Sequence, residues 1–188
     1  MKRLPNGSLF CLSFVRAHSG KQTMSSIALI YARSRNHYIG AAGRVPWSLP
    51  DEYDIFERET LGHAVIMGRR TYDDHQCAFP NRLNIVVTRN SNYPLAEGVK
   101  RIQSLSAAIA LADGYSSTTF VIGGPGLLEE AFPISDRVFE TIVDTDIYGD
   151  ARLAAFNFDG WQTKVTQRHP VDAKHAQAFT AYVHSRAG

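Results

Sequence analysis

The sequence predicts a single α/β domain whose central β-sheet is mainly parallel, with an antiparallel edge at the C-terminal end and helices on its flanks. Two observations carry this prediction. Short apolar runs alternate with helix-like stretches along most of the chain, a pattern typical of βα units around a parallel sheet. The remaining C-terminal part is rich in strand-like segments without helices, which indicates antiparallel strands at one edge.

Seven strands are predicted from apolar or β-rich runs. Residues 27–32 are a continuous apolar run, which is typical of a strand covered on both faces. The segment that follows, residues 33–48, contains Gly40, Gly43 and Pro46 without a clean period, so it is predicted as a long loop, and long loops in compact domains are usually functional. The other predicted strands are residues 64–67, 84–88, 120–122, 138–143, 161–166 and 179–183.

Three helices are predicted between these strands. The first begins near Pro50, because Asp51 and Glu52 then lie in its first turn against the positive end of the helix dipole, and Gly62 is a plausible stop. The second is the alanine-rich segment 104–112. The third, residues 127–132, follows a strand and a glycine turn.

Charge and cysteine content exclude several functional classes. The 188-residue chain has a net charge of +2, but its first 23 residues carry four basic and no acidic side chains, which leaves 16 basic and 18 acidic groups in the body. The body therefore lacks the positive excess of a nucleic-acid-binding domain. With Cys77 as its one cysteine it has no internal disulfide, which favours a reducing, cytoplasmic location. No apolar run approaches the roughly 20 residues of a membrane span.

Residues 1–23 are interpreted as a leader of unknown role outside the core, and residues 24–188 as the domain. The apolar segment 8–15 after two basic residues resembles part of a secretion signal, but Arg16 and His18 follow it at once. A non-native or upstream-extended start is the favoured alternative, since a strongly patterned segment opens at Met24.

A carboxylate lies within the apolar stripe of the first predicted helix. Leu49, Glu52, Tyr53, Phe56 and Thr60 are spaced so that they share one helix face. Glu52 then either reaches solvent at the margin of the stripe or lies on a pocket wall with its pKa raised by desolvation, able to hold a hydrogen-bonding heterocycle. The pattern alone leaves both interpretations open.

Three turns that follow predicted strands have the chemistry of phosphate contacts. They are residues 68–71, with two arginines, the glycine turn 123–126, and Thr88-Arg89. Each alone could be a plain tight turn or carry a solvated arginine. Because ligands of α/β sheets bind at the carboxyl ends of the strands, the three together predict a phosphorylated cofactor beside a planar substrate.

The ordered set of motifs resembles the dihydrofolate reductase family from about Ser26 to the C-terminus. The resemblance implies NADPH as cofactor and hydride transfer to C6 of 7,8-dihydrofolate, with protonation of N5 by a water molecule and with residues 40–49 as a closing loop. It also implies a monomer that supplies tetrahydrofolate for one-carbon metabolism and binds antifolates. The motifs are residues 30–32, 36–40, 45–50, 65–71, 82–88 and 121–124.

The resemblance also assigns roles to individual residues. Glu52 is implied to pair with the pterin ring, with Trp47 and Thr141 holding Glu52 and an ordered water. Arg82 is implied to take the carboxylate of the substrate's glutamate tail. The other implied substrate contacts are Ile30, Ala32, Leu49, Tyr53, Phe56 and Ile122. The implied NADPH contacts are Ala32, Ile39, Gly40, Gly68, Arg69, Arg70, Thr71, Thr88, Arg89, Gly123, Gly124, Pro125, Gly126 and Leu127, with a cis Gly123-Gly124 bond.

Departures from the family pattern keep two alternatives open. Leu128 stands where many members have a tyrosine, Pro125 follows the glycine pair, and Asp73-Asp74-His75 replaces more usual residues at the substrate mouth. The alternatives are a reductase of the riboflavin-pathway type acting on a ribosylated pyrimidine, and a catalytically weak pterin- or NADP-binding protein. Glu52 favours pterin over pyrimidine.

No metal site is predicted from the sequence. His169 and His175 show no metal-binding spacing with a carboxylate or thiol, so surface roles are expected for both.

Overall fold

The structure is a computed structural model that describes residues 25–75 and 77–187. The predicted leader lies outside the described residues. The strands are β1 Ser26–Ser34, β2 Tyr38–Gly40, β3 Ala64–Gly68, β4 Leu83–Val87, β5 Lys100–Ile102, β6 Thr118–Gly123, β7 Arg137–Val143, β8 Ala151–Arg152, β9 Trp161–His169 and β10 Phe179–Arg186. The helices are α1 Pro50–Thr60, α2 Arg69–His75, α3 Leu105–Ala112 and α4 Pro125–Ala131, followed by a 3-10 turn at Phe132–Ile134.

Eight strands form one sheet in the order β5-β4-β3-β6-β1-β7-β10-β9. The six strands from β5 to β7 are parallel, whereas β10 runs antiparallel to β7 and β9 antiparallel to β10. The predicted α/β class, with its antiparallel C-terminal edge, is confirmed. Strands β2 and β8 form a separate antiparallel pair.

The parallel strands form the core because their side chains are apolar on both faces of the sheet. Leu29, Ile66 and Val121 pack on one face in a cluster that includes the buried residues of α3 and α4. Val65, Met67 and Phe120 belong to a second cluster that includes Tyr72 of α2. Burial on both faces explains why these strands read as continuous apolar runs rather than alternating patterns.

The register of the sheet brings the three predicted phosphate turns to one edge. Gly68, the last residue of β3, pairs with Val87 at the end of β4, and Met67 pairs with Gly123 at the end of β6. The turns after these strands are therefore neighbours in space although they lie far apart in the chain. This edge is formed by the carboxyl ends of parallel strands, the usual ligand-binding edge of such sheets.

The structure differs from the sequence prediction at several points. The predicted loop 33–48 contains β2, whose three residues are too few to show a period. Strand β5 was not predicted because its sequence, Lys100–Ile102, is charged and mostly exposed. The expectation of a surface role for His175 is wrong, because this residue is only 1% exposed and contacts the start of α1. No helix in the described part of the chain is long and apolar enough to cross a membrane.

Candidate active site

A cleft of about 1150 Å³ lies at the carboxyl edge of the parallel strands. Its walls are the first turns of α1, the loop from Gly40 to Leu49, and the turns that follow β3, β4 and β6. This volume exceeds the roughly 1000 Å³ at the upper end of the usual range for small-molecule sites. The cleft is thus large enough for a substrate and a dinucleotide side by side.

Glu52 lies on the cleft wall in the first turn of α1. The helix begins at Pro50, and the Glu52 amide donates a hydrogen bond of 3.1 Å to the carbonyl of Leu49. Burial raises the pKa of the Glu52 carboxyl to about 7. Of the two interpretations left open by the sequence, the structure supports the pocket-wall position.

The Trp47 indole also belongs to the cleft lining. Its Nε1 is buried and has no hydrogen-bond acceptor among the described residues. A buried indole N–H normally has a partner, so this donor is available to a bound molecule or a water. Thr141 is buried on β7, where it pairs with Ala32 of β1, and it does not line the cleft itself.

Aromatic and aliphatic side chains cover the wall around Glu52. The rings of Tyr53 and Phe56 lie 5.9 Å apart on α1, and Phe56 in turn packs on Phe79 at 5.2 Å. Leu49 from the loop and Ile122 from β6 also line the cleft. This arrangement presents flat apolar surface beside one carboxyl group, which suits a planar heterocycle with polar edges.

The glycine turn 123–126, at the end of β6, is part of the cleft lining. The Gly123–Gly124 peptide bond is cis, as the family resemblance implied. Gly123 has a φ of 137°, and a Cβ at this position would lie 3.0 Å from Oγ1 of Thr71. Only glycine fits such a backbone, and the result is a bare main-chain surface that a ligand can approach closely.

Two arginine-bearing turns flank this glycine surface. Arg69 and Arg70 begin α2 directly after β3, and Arg89 follows β4. The Thr88 amide donates to the carbonyl of Ile102 at 2.8 Å, which ties the turn to the end of β5. The guanidinium groups of all three arginines belong to residues of the cleft lining and suit phosphate recognition.

The sequence prediction missed several residues of this end of the cleft. Gln103 and Ser104 line it because β5 brings them beside Thr88. Ser104 is also the N-cap of α3, where its side chain accepts a hydrogen bond from the amide of Ala107 at 3.3 Å. A serine directly before an alanine-rich helix is a typical N-cap, so this role of Ser104 could have been predicted from the sequence. The exposed strand β5 before it gives no such signal.

The closing loop contacts α2 at the mouth of the cleft, a contact that the sequence did not predict. Ala41 and Arg44 form an isolated antiparallel bridge, and the amide of Val45 donates to Oδ2 of Asp74 at 3.4 Å. Asp74 and His75, which were noted as departures from the family pattern, both line the cleft. The hydrogen bond between Val45 and Asp74 links the loop to α2.

Arg82 lies beneath α1 rather than in the cleft lining. Its side chain is fully buried, its Nε donates to Thr60, and its Nη2 donates both to the carbonyl and to the carboxylate of Glu57 at 3.0 Å. Its Nη1 donates to the carbonyl of Pro80 at 2.9 Å. The guanidinium is thus already partnered, and its role toward a substrate stays a prediction.

Apart from Thr141 and Arg82, every residue predicted for catalysis, substrate or cofactor lines this one cleft. The residues fit a dinucleotide on three counts that belong to this structure. The glycine turn is bare, nearby turns carry three arginines, and the same cleft is lined by Trp47, whose buried indole N–H has no partner among the described residues.

Comparisons with known proteins agree with this geometry. The family model described as dihydrofolate reductase matches residues 26–186. The type 3 dihydrofolate reductase of Salmonella typhimurium is 39% identical over 152 residues, covering 81% of this chain and 93% of that protein. A dihydrofolate reductase of Neisseria meningitidis serogroup A is 34% identical over 162 residues, covering 85% and 99%.

A solved structure extends the likeness to three dimensions. The dihydrofolate reductase from Enterococcus faecalis, in complex with NADP(H) and the compound RAB-propyl, superimposes with a TM-score of 0.80 at 30% identity. The match covers 88% of this chain and 98% of that one. On the matched family model and these relatives, the chain belongs to the dihydrofolate reductase family.

Proposed function

We infer that this protein reduces 7,8-dihydrofolate to 5,6,7,8-tetrahydrofolate with NADPH as the reductant. The observation that carries the inference is the position of Glu52, a carboxyl group buried on an apolar cleft wall and separated by a bare glycine turn from a set of arginines. Membership of the dihydrofolate reductase family and the NADP(H) complex of the Enterococcus faecalis relative support it.

The phosphate end of the cleft suits NADPH, which supplies a hydride to C6 of the substrate when bound. Arg69, Arg70 and Arg89 provide the positive charge, and Thr71 and Thr88 provide hydroxyl donors. The bare glycine turn lets the dinucleotide approach the backbone, because no side chain covers it. The residues from Gly40 to Leu49 cover the reacting region and exclude bulk water when the loop closes.

The part of the cleft that carries Glu52 positions dihydrofolate, which accepts the hydride. Glu52 bonds the polar edge of the ring and orients it, and its charge raises the basicity of N5, which takes its proton from a water molecule. The indole N–H of Trp47 and the hydroxyl of Thr141, which pairs with Ala32 of β1, hold Glu52 and an ordered water. A pKa of about 7 keeps Glu52 poised between its two protonation states at neutral pH.

The proposal includes the organisation of the chain. We expect residues 24–188 to form the enzyme, which the family match to residues 26–186 supports, and we expect it to act as a cytoplasmic monomer. A chain that starts at Met24 should keep full activity and elute from a sizing column at the mass of one copy.

The experiment is a spectrophotometric assay of the purified protein with NADPH and dihydrofolate. We expect NADPH absorbance to fall only when protein, NADPH and dihydrofolate are all present, and a small-molecule antifolate to stop the fall. Circular dichroism confirms that the sample is folded. If folded protein consumes no NADPH above the enzyme-free control, the protein is a pterin- or NADP-binding protein and the inference is wrong.

A further inference from the structure

Two histidines and an aspartate from distant parts of the chain meet on the side of α1. Asp51 is the second residue of α1, His169 is the last residue of β9, and His175 lies in the segment between β9 and β10. Nε2 of His169 lies 3.2 Å from Oδ2 of Asp51, and Nε2 of His175 lies 3.4 Å from Oδ1. The three ligand-type atoms all lie within 4.8 Å of one another.

Nδ1 of each imidazole ring already has a hydrogen-bond partner. Nδ1 of His175 lies 2.8 Å from Oδ1 of Asp172, and Nδ1 of His169 lies 2.7 Å from the carbonyl oxygen of Pro170. Both partners are acceptors, so each Nδ1 carries the hydrogen. This is the arrangement that orients metal-binding histidines, with a carboxylate or carbonyl behind each ring.

In the neutral rings, each Nε2 therefore carries a lone pair on the Asp51 side of the cluster. The lone pair of His175 accepts a hydrogen bond of 3.2 Å from the backbone amide of Asp51, and a metal ion bound at this nitrogen replaces that bond. Two imidazole acceptors and a carboxylate at these distances attract a cation, which is either a proton on one ring or a metal ion.

The spacing matches the requirements of a small divalent cation. Ligand atoms about 2.0–2.1 Å from a tetrahedral zinc ion lie roughly 3.3 Å from one another. The separations of 3.2 Å from Nε2 of His169 to Oδ2 of Asp51 and of 3.4 Å from Nε2 of His175 to Oδ1 are close to this value, each to a different oxygen of the carboxylate. The Asp51 side chain is 44% exposed and that of His169 is 15% exposed, so a cation has an entry path and room for a water as fourth ligand.

We propose that Asp51, His169 and His175 bind a divalent transition-metal ion, of which Zn²⁺ is the representative, at a site distinct from the catalytic cleft. The ion joins the β9–β10 connection to the first turn of α1, the helix that carries Glu52. Two imidazoles and one carboxylate suit zinc and its neighbours rather than Ca²⁺ or Mg²⁺, which prefer oxygen ligands. Binding stabilises the folded chain, because the unfolded chain does not hold these three groups together.

The test uses the full-length protein after chelator treatment and removal of the chelator. Zinc sulfate is titrated by calorimetry, and thermal unfolding is followed with and without the metal. We expect one Zn²⁺ per chain and a rise in the unfolding temperature of several degrees. His169→Gln should weaken zinc binding at least tenfold and abolish most of the rise, whereas His63→Gln, a matched change outside the cluster, should leave both unchanged.

A second variant and a second metal keep the test independent of folding defects. Asp51→Asn keeps the backbone donor to His175 but removes the charged ligand, and it should also lose the zinc-dependent rise. Co²⁺ should give the visible spectrum of a tetrahedral N/O site in the wild type and not in His169→Gln. Zinc held by the exposed Cys77 thiol persists in both variants. The proposal is overturned if zinc binding is absent or is equal in wild type, His169→Gln and Asp51→Asn.

Discussion

Two glutamates, Glu52 on α1 and Glu140 on β7, meet opposite electrostatic environments. Glu52, on the cleft wall, has no ion-pair partner among the described residues, and burial raises the pKa of its carboxyl to about 7. Glu140, on β7 at the antiparallel side of the sheet, is 6% exposed. Burial also favours its protonation, but hydrogen bonds from His184 and the charge of Arg33 outweigh that effect and lower its pKa.

The partners of Glu140 are close and numerous. Arg33 donates to its Oε1 at 2.7 Å, Tyr31 donates to the same oxygen at 3.2 Å, and Nε2 of His184 lies 3.2 Å from Oε2. Glu52 has no comparable set of donors. The comparison shows that the fold can hold a buried carboxylate ionised when it provides partners, and that at the cleft it leaves this bonding capacity for a ligand.

The largest expected effect is on turnover at the unpartnered glutamate. Glu52→Ala should lower kcat for dihydrofolate about 1000-fold at neutral pH, because the variant loses both orientation of the ring and the charge that favours protonation of N5. The NADPH dissociation constant, measured by fluorescence titration, should stay nearly unchanged. Glu59→Ala, on the same helix but beside Arg58, is the matched control and should keep wild-type turnover. Equal losses of turnover and NADPH affinity in Glu52→Ala would contradict the assignment.

The partnered glutamate should instead affect stability. Glu140→Leu should lower the free energy of unfolding by about 3 kcal/mol, because it leaves the mostly buried Arg33 without its partner. Urea denaturation measures the change. The double variant Arg33→Met/Glu140→Leu should recover much of the loss, since it buries no unpaired charge. A double variant less stable than Glu140→Leu would show that the ion pair is not what the single change disrupts.

Next in size is the pH dependence that the unpartnered carboxyl imposes on the ligand-free protein. The folded-state pKa of Glu52, about 7, is raised above the usual value of 4.5, so the folded state binds the proton more tightly than the unfolded state. The resulting stability is present below pH 4.5 and is lost as pH rises through 7. The Glu52 contribution should fall by about 2 kcal/mol between pH 5 and pH 8.

Comparison with Glu52→Gln isolates this contribution, because glutamine does not titrate. Urea unfolding at pH 5 and pH 8 should show the wild type losing about 2 kcal/mol more than the variant does. Parallel changes in the two proteins would place the pH dependence elsewhere in the chain.

The smallest expected effect concerns a third glutamate, Glu57, which has an ion-pair partner, unlike Glu52, and is more exposed than Glu140. Glu57 is one-third exposed and pairs with the buried Arg82 at 3.0 Å. If Arg82 takes the tail carboxylate of the substrate, Glu57 competes for the same guanidinium. Glu57→Gln should then lower KM for dihydrofolate about threefold, in line with a partly exposed ion pair. A pterin without the glutamate tail is the control substrate, and its KM should not change. An equal change for both substrates would exclude Arg82 as the tail contact.

Sequence patterns were sufficient where the information is local. The apolar runs of β1, β3, β4 and β6 are buried on both faces. The helical spacing of Leu49, Glu52 and Phe56 predicted that they share one helix face, but only the structure shows that this face lines the cleft. The family resemblance, rather than periodicity, identified the roles proposed for Trp47 and Thr141.

What the sequence could not show depends on long-range contacts. His175 hydrogen-bonds locally with Asp172, but it also contacts Asp51, 124 residues away, and no local pattern predicts that contact. Arg82 likewise pairs with Glu57, 25 residues earlier, which no spacing rule predicts. Strand β5 was missed because its side chains are exposed, so the apolar signal of a buried strand is absent.

The most direct test of this account is a carbon NMR titration of the glutamate side-chain carboxyls in the ligand-free protein. Glu52→Gln and Glu140→Gln assign the two signals. We predict that the Glu52 signal titrates near pH 7 and that the Glu140 signal titrates below the ordinary glutamate value of 4.5. A Glu52 signal that titrates near pH 4.5 would contradict the claim that the cleft holds an unpartnered, desolvated carboxyl group.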